Sequence, residues 1–130
     1  MASNVYDKYL VNVQAKLIDI VNDSIKAALL DIATYTYSTA HNAYTDLTGV
    51  TGTPVALASK TNGTVGKGVI DAADTTITAV GAGVALGAVA LYDDTSTPKY
   101  LISYNELTSP ITPNGGDITL VWNAGGIFSI

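Results

Sequence analysis

The spacing of apolar positions divides the chain near residue 23. Before it, Tyr6, Tyr9 or Leu10, Val13 and Leu17 recur at steps of three and four, the stripe of an amphipathic helix. Ser3 or Asn4 would cap that helix. Asp7 falls in its first turn and Lys16 near its end, where the helix dipole favours an acid and a base. The spacing therefore predicts one α-helix over about residues 4–18. Asn22 and Asp23 break the pattern.

Beyond the break the texture is that of strands. Residues 24–31 (SIKAALLD) form a short apolar run that fits a strand or a helix, with the Asn-Asp before it and the β-branched, aromatic sequence after it favouring a strand. Thr34-Tyr35-Thr36-Tyr37 alternates with a period of two. Residues 38–47 can hold one helical turn capped by Ser38 or Thr39. Gly49 and Gly52 mark a turn, and residues 54–60 alternate again. Short strands are expected at 69–70 and 75–80, joined by Asp71-Ala72-Ala73-Asp74. Residues 84–92 are almost wholly apolar, which predicts a strand buried on both faces. Residues 93–98 read as a hairpin loop, from which 99–105 returns antiparallel with Tyr100, Ile102 and Tyr104 on one face. Pro113-Asn114-Gly115-Gly116-Asp117 is a turn. Residues 118–123, with Trp122 in the core, and 126–130 are the last strands, split by a bulge at Gly125-Gly126. About eight short strands with glycine-rich turns predict a mainly β fold: an antiparallel β-sandwich or barrel with an N-terminal α-helix. A single domain over 1–130 is expected, its β-rich body covering about 24–130.

Composition agrees with a folded body. Of the 130 residues, 48% are hydrophobic and 13% charged, the reverse of the balance that keeps chains disordered. Cysteine is absent, which removes disulfides, thiolate metal sites and cysteine nucleophiles. The basic residues are six scattered lysines with no arginine, and the net charge is −5. Phosphate recognition wants clustered cations, so nucleic acid is not an expected partner. The longest apolar run, residues 77–92, is glycine-rich and short of the ~20 residues a membrane helix needs. No membrane partner is expected, and the start of the chain lacks the basic region of a signal peptide.

Candidate chemistry is sparse. His41 is the only histidine and is read as a capping or packing residue. Gly63-Thr64-Val65-Gly66-Lys67-Gly68 has the look of a phosphate loop but not its spacing, and glycine follows the lysine where a magnesium-binding hydroxyl is required. Asp71, Asp74, Asp93 and Asp94 could hold calcium only if the fold gathered them, and aspartates in turns more commonly bond their own backbone. No catalytic, cofactor or metal site is expected, and the chain is not read as an enzyme. The one enrichment is tyrosine, eight against one Phe and one Trp. Tyrosine suits interfaces because it buries a large ring while its hydroxyl stays wet. Tyr6 near the start, and Tyr35, Tyr37 and Tyr44 in a segment read as a surface loop around His41, are the candidate partner contacts.

The order of segments resembles a family of small virion structural proteins of tailed bacteriophages. The resemblance rests on Val5-Tyr6 in the first helix, on Ile25-Lys26-Ala27-Ala28-Leu29-Leu30-Asp31, on Tyr35 through His41 to Leu47, and on Ile70-Asp71-Ala72-Ala73-Asp74. The ending is the most distinctive part: Ile111-Thr112-Pro113-Asn114-Gly115-Gly116-Asp117-Ile118, then Trp122-Asn123-Ala124-Gly125-Gly126-Ile127-Phe128. The family often carries an arginine after the histidine segment, where this chain has Thr53-Pro54-Val55, so no role of that arginine carries over. The resemblance implies a capsid decoration (cement) protein on the outside of the virion. It would be made in the host bacterial cytoplasm, bind the major capsid protein, and form a homo-oligomer, dimer or trimer. A head–tail connector, tail or baseplate part, and a carbohydrate- or receptor-binding virion module, are the alternatives.

Overall fold

Two runs of small and branched apolar residues, IKAALL and LGAVALYD, have no polar side on which a surface strand could rest, and both become central strands. The computed structural model describes residues 2–64, 66, 68–123 and 125–129. In chain order the elements are β1 (Ala2–Val5), α1 (Asp7–Gln14), β2 (Ile25–Leu30), a 3₁₀ turn (Tyr44–Asp46), β3 (Val50–Ala56), β4 (Thr61–Asn62) and β5 (Val69–Asp71). There follow β6 (Thr75–Ile77), β7 (Leu86–Asp93), β8 (Leu101–Ile111), β9 (Ile118–Leu120) and β10 (Phe128–Ser129). The fold is mainly β, as the alternation predicts. An antiparallel five-stranded sheet in the order β1-β8-β7-β2-β3 forms one layer. Two small sheets, β10-β5-β4 and β6-β9, contribute to the apolar cluster on one of its faces together with α1.

The helix is shorter than the expected 4–18. Residues 2–5 pair with β8, and Tyr6 N–H donates to Ile102 O, so Ser3 and Asn4 lie in a strand and cap nothing. At the other end Lys16 takes φ 61°, Lys16 N–H donates to Val13 O and Leu17 N–H to Asn12 O. This is a Schellman end with lysine in the place glycine usually holds. Asp7 is in the first turn as expected.

Other boundaries move for the same reason, that pairing partners decide where a strand exists. Residues 34–37 keep their alternation, Tyr35 and Tyr37 inward and Thr34 and Thr36 outward, but form no strand. Thr34 and Tyr35 N–H both donate to Asp31 O, closing a turn instead. The strands expected at 69–70 and 75–80 are present as β5 and a shorter β6, but they do not pair with each other: β5 joins β4 and β10, whereas β6 joins β9. The supposed bulge at Gly125-Gly126 is a turn, with Gly126 N–H donating to Asn123 O, that carries the chain from one small sheet to the other. Val65 and Lys67 of the glycine-rich loop, and Ile130 of the last expected strand, lie outside the described residues.

The register of β8 supplies the main correction. Leu91 faces Ser103 and Tyr92 faces Leu101, which leaves Ile102 as an extra residue. Ile102 and Tyr100 therefore pack toward the small sheets, and Tyr104 toward the opposite side, not all three on one face. β7 itself is buried along its whole length, as expected.

Candidate interaction surface

The two faces of the central strands differ in size. Toward the small sheets β2 and β7 present Ala27, Leu29, Val89 and Leu91; on the other side they present Ala28, Leu30, Ala88 and Ala90. Ala28 lies opposite Ala90 and Leu30 opposite Ala88. A floor of methyl groups leaves height above it, and tyrosine rings fill that height. Tyr6, Tyr35, Tyr92 and Tyr104 are buried there with Leu47, and Tyr37 and Tyr44 lie half-buried at the edge.

The rings are locked to one another. Tyr37 stacks on Tyr104 with centroids 4.8 Å apart, and Tyr6 meets Tyr37 at 5.1 Å with its plane tilted by 52°. The Tyr6 and Tyr35 hydroxyls lie 2.8 Å apart, and the Tyr35 hydroxyl is 2.7 Å from His41 Nδ1. Burial raises the Tyr6, Tyr35 and Tyr104 hydroxyls above the usual tyrosine range, so all three stay protonated near neutrality. His41 packs on Tyr35 and satisfies its hydroxyl, as a packing residue does.

This places the four candidate tyrosines in two groups. Tyr6 is 0% exposed and Tyr35 3%, and both hydroxyls are satisfied inside the chain. They are core residues, and the segment around His41 is a packed cover, not a free surface loop. Tyr37 and Tyr44 alone keep exposed ring surface. Sequence reasoning missed Tyr92 and Tyr104 as members of the layer; the alanines beneath were the available signal.

Tyr44 stands apart from the others at the β7–β8 end. Its ring stacks on Tyr92, centroids 4.4 Å apart and planes 23° off parallel. Backbone bonds position it: Tyr44 N–H donates to Lys99 O, and Leu101 N–H donates to Asn42 O. Asp46 Oδ2 accepts from the Asn42 and Ala43 N–H groups, which closes the 3₁₀ turn and holds its carboxyl below the usual range. Between this turn and the 94–99 loop lies a cleft of about 330 Å³ lined by Ala43, Tyr44 and Thr45 on one side and by Asp94, Ser96, Thr97, Pro98 and Lys99 on the other. Lys99 Nζ is 2.8 Å and Lys26 Nζ 3.2 Å from the Asp94 carboxylate, and they hold it ionised, Lys99 foremost. The sequence marked this loop only as a hairpin connection.

Three further aspartates accept from backbone N–H groups, while Asp71 lies in β5. Asp93 Oδ1 accepts from Thr95 and Ser96 N–H, Asp74 Oδ1 from Trp122 N–H, and Asp31 from Ala33 N–H and the Thr34 hydroxyl. The four aspartates weighed for calcium are not gathered: among the described residues no three His, Asp or Glu side chains are placed to hold a metal ion. Among the same residues no helix is long and apolar enough to cross a membrane. The chain matches no protein-family model, no curated protein and no solved structure.

Proposed function

We propose that this chain is a structural protein of a tailed-bacteriophage virion, and within it a decoration protein that sits on the outer capsid surface and cements the major capsid protein. The observation that carries the reading is where the resembling segments fall. Residues 25–31 include β2, an interior strand of the five-stranded sheet, residues 35–47 cover one of its faces, and residues 70–74 and 118–128 contribute to the opposite layer. The resemblance thus touches one strand of the main sheet, its cover and the opposite layer, while β7 and all of β8 but Ile111 lie outside it. The chemistry of the chain also suits binding: its histidine and most of its bonded carboxylates hold turns and rings in place. Apolar side chains remain exposed at Leu10, Val11, Leu17, Val21 and Val121.

Cementing needs little from each copy. A shell repeats one site many times, and a closed dimer or trimer of the chain multiplies weak contacts by avidity. Binding the assembled shell but not its free subunits stabilises the shell by mass action. The test is to add the purified chain to shells that lack it and to unassembled capsid protein. Co-sedimentation with shells only, with a higher shell melting temperature, is expected; a chain that stays in the supernatant overturns the reading.

A further inference from the structure

The cleft beside Tyr44 has the features of a slot for one particular kind of side chain. We propose that it docks an aromatic side chain flanked by a carboxylate, presented by an acidic peptide segment of a partner protein. That the partner is the capsid protein rests on the function proposed above; the chemistry of the slot does not.

Three observations converge on this occupant. The cleft's volume, about 330 Å³, is at the small end of ligand pockets (~300–1,000 Å³), room for one ring system and not for a folded chain. Its exposed lining is mostly apolar, with Ala43, Tyr44 and Pro98 beside Thr45, Ser96 and Thr97. One face of Tyr44 is already braced on Tyr92, so the remaining surface is held still to receive a second ring.

The third observation is charge. The chain carries −5 overall, yet here two of its six lysines converge on the single Asp94 carboxylate, a local balance of +1. Lys99 is half-exposed, with its side chain at 50%. Its ammonium has three donors and Asp94 takes one, so it can bond a second carboxylate at the mouth and lie against an aromatic ring in the slot. The neighbouring acids are engaged elsewhere: Asp46 accepts two backbone N–H groups of its own turn, and Asp93 is fully buried. Both walls are tied down before a ligand arrives. Residues 42–44 bond to 99–101 through the backbone, and Ser24 and Asp93 fix the 94–96 loop. A slot ordered in advance loses little entropy on binding.

Amide chemical shifts of the isolated chain, titrated with indole-3-acetate, tryptamine and methyl α-glucoside, test this directly. Indole-3-acetate should move the Thr45, Thr97 and Lys99 amides and saturate in the millimolar range, with tryptamine at least about fivefold weaker and the glucoside silent. Lys99→Gln should abolish the preference and Lys99→Glu reverse it, both with the dispersed spectrum of the folded chain. Equal response to both indoles, a response to the glucoside at these amides, or no response at all overturns the proposal. None of these outcomes bears on whether the chain is in a virion, because no particle enters the experiment.

Discussion

The two faces of one sheet solve the same burial problem with different materials. Toward the small sheets the side chains are large and aliphatic, and they meet Ile70, Ile77, Ile118, Leu120 and Phe128 from elements of regular structure. On the other face the strands offer Ala28, Ala88 and Ala90, and bulk is returned as tyrosine rings, Tyr92 and Tyr104 from β7 and β8 themselves and Tyr6, Tyr35, Tyr37 and Tyr44 from outside the sheet. The faces also differ in how polar atoms are handled. The Tyr6 and Tyr35 hydroxyls bond each other and Tyr35 bonds His41, whereas the buried Asp93 Oδ2, Asn105 Oδ1 and Trp122 Nε1, the last in the aliphatic cluster, find no hydrogen-bond partner among the described residues.

If the tyrosine layer is a true second core, removing a ring from it should cost as much as removing an aliphatic side chain from the first. Tyr6→Ala should lose about 4 kcal/mol of stability, and Leu91→Ala on the opposite face about 3 kcal/mol. Urea denaturation of the pair measures both; a loss under about 1 kcal/mol for Tyr6→Ala would reduce the layer to a loose cover.

The aliphatic side should be the one that senses pH. Burial, then the nearby Asp23 carboxylate, pushes the Asp93 carboxyl up to about 7, against ~3.9 in an unfolded chain. Between these values the folded chain holds a proton that the unfolded chain releases. This contribution is complete below about pH 4 and is lost as pH rises to about 7. Asp94 and Asp46 act oppositely: both are held low in the fold, so their contribution is lost on acidification below about pH 4. Stability should therefore peak near pH 4–5 and fall by about 2 kcal/mol toward pH 8. Asp93→Asn should flatten that upper limb while leaving the acid limb, as followed by melting temperature across the range.

Smaller changes sharpen the contrast further. Tyr35→Phe keeps the ring but removes the hydroxyl between Tyr6 and His41, and should cost about 1–2 kcal/mol. A neutral result would mean the hydroxyl chain adds nothing to the packing. Gly87→Ala tests the rim of the sheet, where a Cβ would stand 2.5 Å from Ile32 Cδ1. Ile32 is 47% exposed and can swing outward, so the expected cost is only about 1 kcal/mol. A thermal melt unchanged from the parent chain would show that Ile32 moves freely.

How much of this could be read beforehand follows the same division. Strand β7 and the hairpin loop after it were legible because an apolar run nine residues long, followed by a loop bounded by Asp93-Asp94 and Pro98, permits few alternatives. The tyrosine layer was half legible. The rings stood out, but whether a tyrosine faces a partner or its own core depends on what lies beneath it, and the alanines of β2 and β7 belong to strands far away in sequence. Ile102 could not be foreseen: a bulge shifts every later side chain to the other face and leaves no mark in the alternation. Ser3 and Asn4 misled for a related reason, since a capping residue and an edge-strand residue look alike until a neighbouring strand is placed beside them.

The most direct test of the proposed role is the copy number of this chain in purified virions, measured by quantitative mass spectrometry against the major capsid protein. A protein that tiles the shell should appear at a ratio near one or a simple fraction of it. A handful of copies per particle would contradict the decoration role and move the chain to the neck, tail or baseplate, and its absence from particles would contradict the virion reading itself.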